Sequence, residues 1–169
     1  FVQEKKEPLH PDTKEIDSHF FQDADGKWYL YFVRFFDSNQ IWGAEMTDDL
    51  MGIKEDTLTR LLIPDTPWEC HQWPVNEAPY MILHNGLYYL TYSGSHCESD
   101  YGSGYAVSDS PLGTYRKYEG NPILRSTKEM PGVGHHCITR SPDGQEMFIV
   151  YHRHFDGTRM SPRCVCVDR

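Results

Sequence analysis

Three stretches of the chain repeat one plan: a strand-forming run, a turn containing Gly, and a second strand-forming run. They cover residues 16–33, 77–93 and 135–152. Their turns read Asp25-Gly26, Asn85-Gly86 and Asp143-Gly144. Asp-Gly and Asn-Gly favour the positive φ angles that two-residue hairpin turns demand, so three tight hairpins are expected. The turn glycines lie 60 and then 58 residues apart, which makes each hairpin part of a larger repeat. Elsewhere apolar and aromatic runs are short and broken by Gly, Asn, Asp and Pro, the pattern of an all-β chain.

A third strand is predicted after each hairpin, over 40–46, 104–108 and 163–168. A fourth is predicted over 59–63 and 122–125. Four antiparallel strands in about 60 residues is the plan of a β-propeller blade. The expected organisation is a single partial propeller domain over 1–169, with blades at about 15–65, 75–127 and 132–169. Pro64, Pro67, Pro74, Pro111 and Pro131 fall in the connectors. The charged stretch Glu4–Glu7 reads as a solvated loop or an outer strand.

Composition narrows the partners. Lys and Arg total 16 against 25 Asp and Glu, a formal charge of −9. Nucleic-acid binders need clustered basic side chains, and here they are scattered in an acidic background, so no nucleic-acid partner is expected. No apolar run approaches the roughly 18 residues of a membrane span, and no membrane partner is expected. Aromatic residues make up 14%, which suits strands and sugar-stacking surfaces. The five cysteines (Cys70, Cys97, Cys137, Cys164 and Cys166) cannot all pair within the chain and carry no zinc spacing; they are expected as reduced thiols filling a core. Localisation, secreted or cytoplasmic, is left open.

Counting back nine residues from each turn glycine reaches Asp17, Glu77 and His135. Three ionisable residues thus occupy one place in three successive units, at the start of the innermost strand. Side chains at equivalent positions of a radial repeat converge on its axis. Two carboxylates and an imidazole are therefore expected around one pocket. Burying such groups unpaired is costly, so a blade core does not call for them. Neighbouring carboxylates raise one another's pKa, and an acid kept protonated can donate to a leaving group. Glycoside cleavage needs such an acid together with a second carboxylate. Phe36, Trp68, Trp73 and Tyr80 offer flat faces for sugar rings. His136 reads as a spacer on the opposite face, and His71, His96, His152 and His154 have no ligand-like spacing.

These residues resemble glycoside hydrolase family 43, the five-bladed propeller glycosidases. The motifs are Ile16-Asp17 followed by Phe20, Asp23 and Asp25-Gly26, then Asn76-Glu77-Ala78-Pro79-Tyr80, then Gly132, Gly134 and His135. The resemblance runs from about residue 15 to the end and corresponds to the third, fourth and fifth blades. It implies action on β-D-xylosides and α-L-arabinofuranosides of plant cell walls, with inversion, on xylo- or arabino-oligosaccharides. It implies Glu77 as general acid, Asp17 as the carboxylate that tunes and orients it, and Arg163 as a substrate-binding arginine; Trp73 and Phe36 are the aromatic candidates for substrate binding. It implies no required cofactor, and associates His135 with calcium or another ion near the axis, through water.

One part of the family pattern is missing. The general base is an aspartate of the first blade, and only fourteen residues precede residue 15. Asp12 lacks the strand-and-turn context that follows Asp17. A closed ring of five blades needs about 300 residues at about 60 per blade. The expectation is a piece of a longer propeller, inactive alone and completed by the absent blades or by a second chain. The alternative is a non-catalytic carbohydrate-binding or interaction module.

Overall fold

The structure is a computed structural model that describes residues 7–98 and 100–169. Most of the charged stretch at 4–7 lies outside them. The described residues form twelve strands: β1 (Glu15–Gln22), β2 (Trp28–Phe35), β3 (Asn39–Glu45), β4 (Thr59–Leu62), β5 (Asn76–His84), β6 (Leu87–Gly94), β7 (Gly102–Ser108), β8 (Arg116–Lys117), β9 (Leu124–Arg125), β10 (Gly134–Arg140), β11 (Met147–His154) and β12 (Arg163–Asp168). Two single turns of 3₁₀ helix, Glu55–Thr57 and Pro67–Glu69, lie in connectors.

The strands make three antiparallel sheets. The first runs β1-β2-β3-β4, the second β5-β6-β7-β8 with β9 also on β7, and the third β10-β11-β12. The expected fourth strand of the second unit, 122–125, is thus shared between two short pieces, one of them at 116–117. Short-range meander pairing explains why hairpin spacing was legible in the sequence.

The hairpin loops are not alike. Asn85 and Gly86 sit at φ 50 and 76, the two-residue turn that Asn-Gly favours. In the first hairpin, Asp23 and Lys27 close a longer loop, with Gly26 N–H donating to Asp23 O. In the third, Ser141 and Glu146 close a loop of four residues. Only the middle turn has the expected two-residue form, because Asp-Gly also serves the longer loops with Gly at positive φ.

Each inner strand carries a β-bulge. Pairing slips between Ile16 and His19, between Glu77 and Tyr80, and between Gly134 and Cys137. At these bulges Asp17, Ala78 and His135 have φ of 56, 51 and 50. Non-Gly residues seldom hold that conformation, and strained positions of this kind cluster at functional sites.

The joint between the first two sheets is apolar. Tyr29, Tyr31, Ile41 and Leu62 from the first pack against Met81, Leu90, Tyr92 and Ala106 from the second. Full burial of an Ile, Leu or Met side chain here stabilises by about 1.5–3 kcal/mol. A buried ion pair pins the connector over this joint. Glu69 is fully buried; its carboxylate accepts from Tyr92 Oη at 2.6 Å and from Lys117 Nζ at 2.7 Å. The N–H groups of Asp65 and Thr66 donate to the same carboxylate. The segment leading into β5 is thereby fixed, with Val75 N–H on Glu69 O.

The joint between the second and third sheets is polar. His136 bonds Thr91 Oγ1 at 2.7 Å, and Tyr80 Oη donates to Ile138 O at 2.6 Å. His154 Nε2 meets Cys97 O at 2.8 Å, and His152 stacks on Tyr101 with centroids 5.8 Å apart. His136 lies on the face opposite His135, as expected, but there it is a buried, bonded joint residue and not a mere spacer. The cysteines also depart from expectation. All five are free, but Cys70 and Cys137 are exposed and the others only half-buried, so none fills a core.

Candidate active site

Asp17, Glu77 and His135 come together as the repeat suggested. Their ligand atoms all lie within 4.8 Å of one another. They meet where β1, β5 and β10 begin, one from each sheet. The equivalence behind that expectation needs correction. By strand register, the counterpart of Asp17 and His135 is Ala78, because those three sit at the bulges. Glu77 precedes its bulge by one residue. The shorter middle hairpin shifts the count from its glycine by one, so counting reached the right residue through an unequal loop.

The offset has a chemical consequence. Ala78 N–H, released from the ladder by the bulge, donates to Asp17 Oδ2 at 3.1 Å. Asp17 thus holds the peptide next to Glu77 and ties the first sheet to the second. The bulge N–H of His135 is satisfied likewise, by Ser93 Oγ at 2.8 Å. A freed backbone donor needs such a partner.

Both oxygens of Glu77 are engaged. Tyr101 Oη donates to Oε1 at 2.7 Å, and Asn39 Nδ2 donates to Oε2 at 3.1 Å. Tyr101 is almost fully buried, and burial together with the Glu77 carboxylate pushes its phenol well above the ordinary range. It stays a hydrogen-bond donor at physiological pH. Asn39 is buried too and is tied to the connector before β5 through Pro74 O. Sequence reading missed both residues. They lie 24 and 38 positions from Glu77, and only pairing across sheets brings them in.

The other candidates differ in what they touch. Trp73 and Phe36 are 53% and 74% exposed, so their faces are open to a ligand. The segments that carry them meet where Asn39 bridges to Val75. Tyr80 is instead occupied by His19, with ring centroids 4.3 Å apart. Trp68 packs on Tyr92 at 5.8 Å. Arg163 opens β12 opposite His154 and its Nε donates to Met160 O at 3.2 Å. Its charge, after burial, helps hold the half-buried His152 imidazole down at about 4. Asp17 and His135 open onto a cleft of about 320 Å³ lined also by His19, Ala78, Tyr80 and His136.

The model of the family described as glycosyl hydrolases family 43 matches residues 1–169. The chain belongs to this family. Membership classes it with the glycosidases, and its three sheets are part of a five-bladed propeller. As a family 43 chain it is 31% identical over 159 residues to a β-D-galactofuranosidase of Aspergillus niger, covering 93% of this chain and 43% of that protein. It is 35% identical over 99 residues to an extracellular exo-α-(1→5)-L-arabinofuranosidase of Streptomyces chartreusis, covering 55% of this chain and 30% of that protein. Among solved structures it superposes on an endo-1,4-β-xylanase of Bacteroides thetaiotaomicron with a TM-score of 0.92 and 42% identity. That match covers 98% of this chain and 57% of the xylanase. The chain therefore spans about half the length of these relatives, or less. No helix among the described residues is long and apolar enough to cross a membrane.

Proposed function

We propose that this chain carries the acid side of an inverting pentosidase pocket acting on xylosides or arabinofuranosides. The observation that carries the reading is the meeting of Asp17, Glu77 and His135 within 4.8 Å, with Glu77 held at both oxygens. Glu77 is the general acid. Each carboxyl oxygen that accepts one hydrogen bond keeps a second lone pair, so the proton destined for the leaving oxygen has a seat. Asp17 orients the acid through the Ala78 peptide. Tyr101 and Asn39 limit the rotamers of Glu77, which lowers the entropy cost of reaching the glycosidic oxygen. Trp73 and Phe36 supply stacking faces, and Arg163 donates to sugar hydroxyls at the edge.

The base that activates water belongs to residues outside these 169. Two carboxylates and an exposed imidazole suit a hydrated divalent cation, and His135 would hold it through water, helping to fix the charge balance of the pocket. Incubating the 169-residue chain with aryl β-D-xyloside and aryl α-L-arabinofuranoside tests the reading. Turnover at the buffer rate is expected, and robust hydrolysis by the chain alone overturns the absent base.

A second reading, a carbohydrate-binding module without catalysis, is favoured by the open faces of Trp73 and Phe36. Calorimetry with xylo- and arabino-oligosaccharides on the wild type and Glu77→Gln separates the two. A binder keeps its affinity in the variant and gains no turnover when the absent blades are supplied.

A further inference from the structure

A second cleft has a volume of about 450 Å³. It is lined by Trp68, His71, Asp100, Arg125 and Ser126, with Pro67 and Pro122. Its size is that of a small-molecule site. Topology puts it on the same face of the propeller as Glu77. The connectors that build it leave β4, β6 and β9 and enter β5, β7 and β10, at the end where Asn76 pairs Gly94.

The cleft has a rigid aromatic wall. A Cβ on Gly94 would come within 2.5 Å of the Trp68 ring, so the indole lies directly on the β6 backbone where only Gly fits. Tyr92 backs the same ring. Around it stand polar groups suited to vicinal hydroxyls. His71 and Asp100 are paired at 2.7 Å, and the carboxylate keeps a further oxygen for an incoming hydroxyl. Arg125 is exposed, in no ion pair among the described residues, and set opposite Gly102, one residue from Tyr101. Ser126 Oγ donates to Tyr101 O and accepts from Gly132 N–H, which ties the cleft floor to the residue that clamps Glu77.

An aromatic plane edged by a guanidinium and a carboxylate is the chemistry of sugar recognition: apolar ring face on indole, hydroxyls on charged donors and acceptors. We infer that this cleft is a distal glycan subsite, in which a ring of a pentose oligosaccharide stacks on Trp68 and bonds Arg125 and the His71–Asp100 pair. The inference rests on the reading that the chain acts on pentosans. The segment 68–73 carries both Trp68, in the cleft, and the exposed Trp73, so a glycan bound in the cleft can extend along this segment.

Two-dimensional NMR titration of the chain with xylohexaose and with arabinohexaose tests it. With at least one of the two, the Trp68 indole N–H and the amides of 124–126 should shift together with one midpoint. Arg125→Ala and His71→Ala, both at exposed side chains outside the hydrogen bonds of Glu77, should raise that midpoint about tenfold, as loss of a charged hydrogen bond does. Signal dispersion should stay intact in both. Shifts confined to Asp17, Trp73 and His135, with Trp68 unmoved, overturn the subsite and leave the pentosidase reading standing. Shifts confined to the Trp68 set do the reverse. If neither set moves, both fall, and midpoints unchanged in both variants also overturn the subsite.

Discussion

The two joints between sheets are built from different materials. The first is an apolar stack of Tyr29, Tyr31, Ile41, Met81, Leu90 and Tyr92, pinned by Glu69 and Lys117. The second depends on hydrogen bonds and rings of His136, His152 and His154 against Thr91, Tyr101 and Cys97. Asp17 and Glu77 face each other across the apolar joint, whereas His135 reaches them across the polar one. The acid and its orienting carboxylate are thus held mainly by apolar packing. The histidine side of the pocket is held by imidazole rings and hydrogen bonds, with burial holding His136 and His152 below the ordinary histidine range.

The sharpest break in the apolar joint is Lys117→Met. It leaves Glu69 fully buried without its cation, although Tyr92 and two backbone N–H groups remain. Loss of about 3–5 kcal/mol in urea unfolding is expected. Leu90→Ala should cost about 2–5 kcal/mol, since the side chain is fully buried. Val167→Ala, on a residue 57% exposed in the third sheet, should stay within about 0.5 kcal/mol. Equal losses for Leu90 and Val167 would erase the contrast.

Acid should separate the joints. Burial holds His136 at about 4, below its ordinary 6.5. Below pH 6.5 the unfolded chain takes up a proton that the folded chain refuses. Stability therefore falls as pH drops from about 6.5 toward 4 and is unaffected above that range, with about 3 kcal/mol at stake for His136. His152 shifts the same way through burial and Arg163. His19, on the first joint against Tyr80, is also held at about 4 by burial, so the apolar joint is not wholly exempt. Hydrogen exchange at pH 5 should open β10–β12 before β2 and β6. Simultaneous opening would contradict the division.

The most local effect concerns the acid itself. Tyr101→Phe removes one donor from Glu77 and should cost about 1–2 kcal/mol. In a double-mutant cycle with Glu77→Gln, a coupling of about 1 kcal/mol is expected, and none if the contact is incidental.

Much of this was readable beforehand because it is local. Alternating runs and Gly turns specify hairpins, and β12 falls where the third strand of the last unit was expected, 163–168. The meeting of Asp17, Glu77 and His135 was readable because a radial repeat sends like positions inward. What the count could not see was loop length. A two-residue turn at Asn85-Gly86 and longer loops at the other two sites move the bulge by one, onto Ala78.

The sequence by itself determined the all-β class, the repeat, the family and the three central residues, since each depends on spacing within one hairpin or on a motif along the chain. The tertiary structure alone decided that Asp17 holds the peptide after Glu77, that Tyr101 and Asn39 clamp the acid, and that one joint is oily and the other imidazole-rich. Those facts depend on which side chains meet between sheets. Partners 24 to 61 positions apart leave no periodic trace in the chain that brings them together.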